Sequence, residues 1–160
     1  MLSLYYIKME DKKVRIDLTE YKLRSTWNSI KKMYNEEAKK YGGTHAIGFA
    51  LLGIHPKNGT PSTSIGPALG MEANSFSRIL KMMEEEKLIL RKPNPNDKRG
   101  VLIFLTKDGL TKRKITKKKV IKFNTLVNNN ITKKNMDIFL KTAETIKKLA
   151  SKENVLNNEK

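Results

Sequence analysis

The 160-residue sequence has no cysteine. Disulfides, thiolate metal sites and thiol redox sensing are excluded together. No run of 18 apolar residues occurs, so no membrane-spanning helix is readable. The opening "MLSLYYIKMEDKK" lacks the positive, then apolar, then small-residue order of a secretory signal. A cytoplasmic location, with no membrane partner, is the expectation. No nucleophile–base motif, phosphate loop or metal quartet is visible, so neither an enzyme nor a cofactor is expected. His45 and His55, with no cysteine beside them, make a poor zinc set. Acidic residues are scarce too: 16 against 33 Lys and Arg, a formal net charge of +17. Such an excess suits a polyanionic partner, most simply nucleic acid. A lysine-rich usage of amino acids would also produce it, and lysine does far outnumber arginine here.

What is present is mostly helical periodicity. Leu23, Trp27, Ile30, Tyr34, Ala38 and Tyr41 recur at steps of three and four. Gly42 and Gly43 stop that helix, and Thr44 caps a second, "HAIGFALLGI", apolar nearly all round and therefore destined for burial. After an Asn58-Gly59 turn, Thr60 reads as an N-cap and Pro61 as a first helical residue. The short helix "STSIGPAL" ends at Gly70. Pro67 fits only if that helix starts late, near Ser62 to Ser64. The next helix, "MEANSFSRILKMMEEEKL", has Met71, Phe76, Ile79, Leu80 and Met83 on one face. Asn74, Ser75, Ser77, Arg78 and Lys81 lie on the other. A long lysine-dense segment follows from Thr106 to about Asn128, with Leu110, Ile115, Val120, Phe123, Leu126 and Val127 as its apolar set. Thr132 caps a last helix carrying Met136, Phe139, Leu140, Ala143, Ile146 and Ala150.

Two helices joined by a tight Gly-containing turn form a helix-turn-helix unit. The exposed face of its second helix opens with small hydrogen-bonding residues and one arginine. That composition suits a major groove, where Asn grips adenine and Arg guanine. A β-hairpin follows, "LIL" and "VLIFL" around "RKPNPNDKRG". Its loop is longer than the usual two to five residues, so the tip should project. Pro93 and Pro95 stiffen its base and should stay out of the ladder. Asp97 can brace Arg99 or a neighbouring backbone group, and Gly100 lets the chain turn back. An arginine on a thin projecting loop suits a narrow, electronegative minor groove.

In this context "NDKRGVLIFLTKDG" resembles the wing of the MarR family of bacterial transcriptional regulators. In that family an Asp-x-Arg tip leads into a strand ending in Leu-Thr, with a glycine three residues on. Asp97, Arg99, Val101, Leu105, Thr106 and Gly109 occupy those positions. "SIGPALGMEANSFSRILKMMEEEKLILRK" is similar to the family's helix-turn-helix, and the resemblance runs from about Leu23 to Ala150. It departs at Pro67 and at Lys87, where the family usually has glycine. A left-handed residue there would be strained, so a differently shaped helix end is expected.

The resemblance implies a mainly α (α+β) fold: a winged helix-turn-helix with N- and C-terminal helices forming an obligate homodimer. The expected organisation is an arm at 1–17, core and dimerisation helices at 18–57, and the winged module at 58–105. Dimerisation helices at 106–151 and a frayed tail at 152–160 complete it. Two-fold symmetry then implies a pseudo-palindromic double-stranded DNA site, with half-sites about one helical turn apart. A repressor of transcription, associated with the nucleoid when bound, is the implied function.

Asn74, Ser75, Ser77 and Arg78 are the candidate base readers. Ser62, Thr63 and Ser64 are expected to hold phosphates through hydroxyls and amides. Lys81, Arg91 and Lys98 are further phosphate candidates. Arg99 should enter the minor groove with Asp97 orienting it. Family members commonly leave DNA on binding small aromatic or anionic ligands. Trp27, Tyr34, Tyr41, His45 and Phe49 are the candidates to border such an effector site, although aromatics at helical spacing also serve as plain core. The lysines of "TKRKITKKK" read as a solvated helix surface. The competing function is a basic RNA-binding or ribosome-associated winged helix. The lack of an aromatic-rich stacking surface speaks against it.

Overall fold

A computed structural model of the chain describes residues 18–152, and the backbone alone of Lys98. The arm at 1–17 and the tail from residue 153 lie outside the described residues. The fold is mainly helical with one small antiparallel sheet of three strands, ordered β1-β3-β2. The described residues divide into two compact units, with the boundary between Thr116 and Lys117.

The first unit begins with α1, Thr19–Lys39. It ends as its glycines require: Gly42 turns left-handed at φ 64°, and the Gly43 amide donates to the Ala38 carbonyl. Helix α2, His45–Gly53, starts at Thr44, whose hydroxyl accepts from the Ile47 amide at 3.2 Å. Its all-round apolarity is matched by burial of Ile47, Ala50 and Leu51, with Ile54 just beyond.

The expectation that Thr60 and Pro61 start a helix is corrected. They form β1, pairing with Ile103 and Leu102 of β3. The Thr60 hydroxyl accepts from the His55 amide instead of capping a helix, and so closes the Asn58-Gly59 turn. Helix α3 then runs Ser62–Ala68. Pro67 lies one residue before its end, so the missing N–H costs only one bond of a short helix. Gly70, at φ 64°, turns the chain into α4, Ala73–Glu85, two residues later than the apolar pattern suggested. The two helices meet closely because Gly66 has no side chain: a Cβ there would lie 3.1 Å from the Phe76 ring.

Phe76, Leu80 and Met83 of α4 meet Ile65 of α3, the buried side of α2, and Leu88, Ile89 and Ile103 beside and within the sheet. Each such side chain contributes about 1.5–3 kcal/mol when fully buried. Surface ion pairs contribute about 0–1 kcal/mol each, so this core holds the unit together.

The hairpin departs from expectation. Strand β2, Ile89–Asn94, and β3, Asp97–Leu105, extend well into the polar stretch. Only Pro95 and Asn96 remain as a turn. Pro93 is in the ladder, opposite Val101. Sequence reasoning excludes it because proline cannot donate, but β2 is an edge strand and tolerates a missing donor. The register then slips: Pro93 faces Val101 while Asn94 faces Asp97, leaving Lys98, Arg99 and Gly100 as a bulge on β3.

Lys87 also differs from expectation. It keeps the left-handed conformation, φ 55°, despite its side chain. The Leu88 amide donates to the Met83 carbonyl at 2.8 Å and the Lys87 amide to Glu84, so the helix end closes as glycine would close it. Thr106 locks the exit of the wing. Its hydroxyl donates to the Lys87 carbonyl at 2.8 Å and accepts from the Gly109 amide at 3.0 Å, capping α5, Lys107–Asn130.

The second unit comprises α5 from Lys117 onward and α6, Lys133–Ala150. Thr132 caps α6 by accepting from the Asn135 amide at 3.3 Å. No residue of α6 is buried, and Ile138, Phe139 and Leu140 are each more than half exposed. No helix among the described residues is long and apolar enough to cross a membrane.

Candidate nucleic-acid interface

Helix α4 separates its two faces cleanly. Phe76, Leu80 and Met83 are buried, which turns Asn74, Ser75, Ser77, Arg78 and Lys81 outward, all exposed. The core therefore fixes the polar face without using any of its functional groups. The Ser77 hydroxyl donates back to the Ala73 carbonyl at 2.9 Å, which leaves its oxygen free to accept. No side chain caps the start of α4 or of α3. Thr63 and Ser64 are exposed and Ser62 is half-buried. Ser64 donates its hydroxyl to the Pro61 carbonyl at 2.9 Å, which pins the start of α3 against β1.

The acidic end of α4 modifies the phosphate candidates. Arg91 Nε donates to Glu84 at 2.9 Å, and Lys81 Nζ stands 3.9 Å from Glu85. Both cations are partly neutralised, whereas Arg78 projects one turn nearer the start of the helix. The Arg91–Glu84 pair joins residues on either side of the chain reversal at Lys87. Neither apolar periodicity nor motif spacing signals it.

At the wing tip, Asp97 does brace its neighbour, but through the backbone: a carboxylate oxygen accepts from the Arg99 amide at 3.0 Å. Gly100 makes room for that carboxylate, since a Cβ there would lie 2.8 Å from Asp97 Oδ2 and 3.2 Å from Asn94 Cβ. Asn94, which no sequence motif singles out, accepts from the Asn96 amide at 3.1 Å and so holds the turn. Arg99 is exposed in this bulge. The Lys98 side chain lies outside what is described.

The aromatic candidates separate. Trp27, Tyr34 and Phe49 gather around His45, with ring centroids 5.5, 6.0 and 4.6 Å from its own in the order Trp27, Tyr34, Phe49. His45 is buried, its amide donates to Asn35 Oδ1 at 2.9 Å, and its Nε2 has no hydrogen-bond partner among the described residues. Burial, helped by the charge of Lys31, holds this imidazole below its ordinary pKa. Burial also raises the Tyr34 hydroxyl. Tyr41 is not part of the group. It lines a separate small apolar cleft with Ala38, Ile47, Leu51 and Ile115, at whose edge Lys112 donates to the Gly42 carbonyl and to Glu86, both at 3.3 Å.

Comparison with known proteins matches this architecture. The MarR family model matches residues 45–101, from α2 to the wing, and confirms the resemblance drawn from the wing residues. The organic hydroperoxide resistance transcriptional regulator of Bacillus subtilis is 32% identical over 87 residues, 54% of this chain. The match spans 59% of that relative's length. Among solved structures, the S. aureus MepR–DNA complex superposes with a TM-score of 0.74 at 19% identity, covering 82% of this chain and 98% of MepR. A SlyA-like transcription regulator from Listeria monocytogenes gives 0.71 at 19% identity, covering 82% and 87%. At such identities the structures show a shared winged-helix fold.

Proposed function

We propose that this chain is a MarR-type transcriptional regulator that binds double-stranded DNA as a homodimer and acts as a repressor. The observation that carries this reading is the face of α4. Five polar side chains stand exposed on it while its opposite side anchors the core, immediately before a wing that presents Arg99 on a braced bulge. Asn74, Ser75, Ser77 and Arg78 read base edges in the major groove. Ser62, Thr63 and Ser64 hold phosphates, joined by Lys81, Arg91 and Lys98. Arg99 enters the adjacent minor groove, its backbone set by Asp97. The relative from Bacillus subtilis is a transcriptional regulator, and the MepR structure is of a complex with DNA; both support the reading. The group around His45 is the place for an effector that releases DNA.

Selection from random duplexes tests the reading, and a two-fold symmetric motif is expected. The Arg99→Ala variant should bind that motif about 5- to 150-fold more weakly, at unchanged melting temperature, since a good groove contact is worth about 1–3 kcal/mol. Selection of single-stranded or hairpin RNA in place of a symmetric duplex would establish the competing RNA-binding function.

A further inference from the structure

The turn between α2 and β1 holds the one Asn-Gly pair of the sequence, Asn58-Gly59. The proposed DNA-reading elements do not use it. Asparagine before glycine is a reactive pair as well as a turn signal. The side-chain amide carbon can reach the next backbone nitrogen, and glycine puts no side chain in the way. Asn58 is exposed. Among the described residues, neither its side-chain amide nor the Gly59 N–H makes a hydrogen bond. The turn around them is tied down. His55 Nδ1 accepts from the Lys57 amide at 3.2 Å and from the Asn58 amide at 3.0 Å, and the His55 amide donates to the Thr60 hydroxyl at 2.8 Å.

Other asparagines lack this combination. Asn28, Asn35 and Asn124 lie inside helices, where the ladder takes up the following amide. Asn94 precedes Pro95, whose nitrogen has no hydrogen to lose. Nor can the turn exchange Gly59 for a neighbour that would slow the reaction. Gly59 is left-handed at φ 69°, and a Cβ there would lie 2.8 Å from the Phe104 ring and 3.0 Å from the Ile103 carbonyl oxygen. The fold therefore keeps the reactive pair in place.

We propose that Asn58 is a site of spontaneous deamidation, and that the reaction loosens β1. Solvent hydroxide takes the Gly59 amide proton, and the nitrogen attacks Asn58 Cγ. The new C–N bond closes a cyclic imide. The Cγ–Nδ2 bond breaks, and Nδ2 takes a proton from water and leaves as ammonia. One water then opens the ring. Opening at Cγ gives aspartate, and opening at the main-chain carbonyl gives isoaspartate. Isoaspartate carries the main chain through Cβ and Cγ, which adds one carbon and about 1.5 Å of bond. The turn has no slack to absorb it, because His55 is bonded to Thr60 and Gly59 lies against Phe104. The strain falls on β1, whose two residues pair with Ile103 and Leu102. The start of α3 follows, since Ser64 donates to the Pro61 carbonyl. A loss of DNA affinity by this route rests on the regulator reading; the modification and the loosening do not.

The test ages the purified protein in mildly alkaline buffer beside two variants. Asn58→Gln must close a larger ring and reacts far more slowly. Asn58→Asp adds the charge on a main chain of normal length. Peptide mass mapping, with isoaspartyl methyltransferase labelling, reads the extent of conversion at each asparagine. Wild type should convert at Asn58 ahead of Asn28 and Asn124, and faster as pH rises. Its melting temperature should fall in step with isoaspartate content. Asn58→Gln should keep its starting melting temperature over the same period, and unaged Asn58→Asp should melt close to unaged wild type. Survival of Asn58 for as long as Asn28 would overturn the proposal. So would conversion with no fall in melting temperature, or an unaged Asn58→Asp that melts as low as aged wild type. Failure of the regulator reading would look different: wild type would then select no motif, yet Asn58 would still convert.

Discussion

Lys87 shows how a single residue is made to fit its place. At φ 55° an L-residue is disfavoured by about 1–2 kcal/mol, and the core on both sides enforces it. The flanking Met83, Leu88 and Ile89 are buried, so any other helix end would pull one of them out. Lys87→Gly should therefore stabilise the protein by about 0.5–1 kcal/mol, glycine's extra chain entropy offsetting part of the relief. Thermal unfolding would show a raised midpoint, and a lowered one would mean that the lysine stem contributes more than the strain costs. His45 gives the second residue-scale prediction. Its folded pKa is depressed by burial, so between that value and about 6.5 the unfolded chain binds the proton and the folded chain does not. Stability is full above about pH 6.5 and falls as pH drops through the window below it. His45→Phe should flatten the melting temperature between pH 7 and pH 5, about the range in which an ordinary histidine titrates. An unchanged slope would place the acid sensitivity elsewhere.

At the scale of elements, the junction between wing and α5 decides most. Thr106 joins the two by bonding the Lys87 carbonyl with its hydroxyl hydrogen and the Gly109 amide with its oxygen. Gly109 completes it, since a Cβ there would run into the Leu88 carbonyl oxygen. On an open helix, Gly→Ala gains up to about 1 kcal/mol. Here the added methyl meets backbone, which cannot rotate away, and Gly109→Ala should destabilise by about 1–3 kcal/mol instead. Chemical denaturation reads the sign directly. The same junction explains why the Thr and the following Gly stand three residues apart: one turn of helix separates the cap from the point of closest approach. Both residues were legible as a motif in the sequence. Their physical reason was not, because Leu88 is 21 residues from Gly109 along the chain.

At the scale of the molecule, the apolar surface left open on one chain bears on assembly. Leu126 of α5 and Ile138, Phe139 and Leu140 of α6 are each more than half exposed. Exposed apolar side chains in such number mark a contact surface, and a second copy is the simplest cover. Sedimentation should give twice the chain mass. Phe139→Lys should shift the equilibrium toward monomer and weaken binding to a symmetric duplex far more than to a half-site. A wild-type monomer at micromolar concentration would remove the dimer from the proposed function.

Local chemistry in the sequence determined the helices, their caps at Thr44 and Thr132, the Gly70 turn, and the division of α4 into a core face and a polar face. Each depends on residues within one or two turns of one another, where periodicity and capping act. The Asp97-to-Gly109 pattern likewise identified the wing. Tertiary structure decided what depends on partners distant in sequence. It moved Thr60 and Pro61 into a strand, because β3 offers them partners more than 40 residues away. It admitted Pro93 to the ladder, because β2 lies at an edge. It held Lys87 left-handed, drew Arg91 to Glu84, and gathered Trp27, Tyr34 and Phe49 around His45 while leaving Tyr41 apart. Pattern reports which face of an element is apolar; only packing settles which neighbour that face meets, and which polar groups are left facing outward.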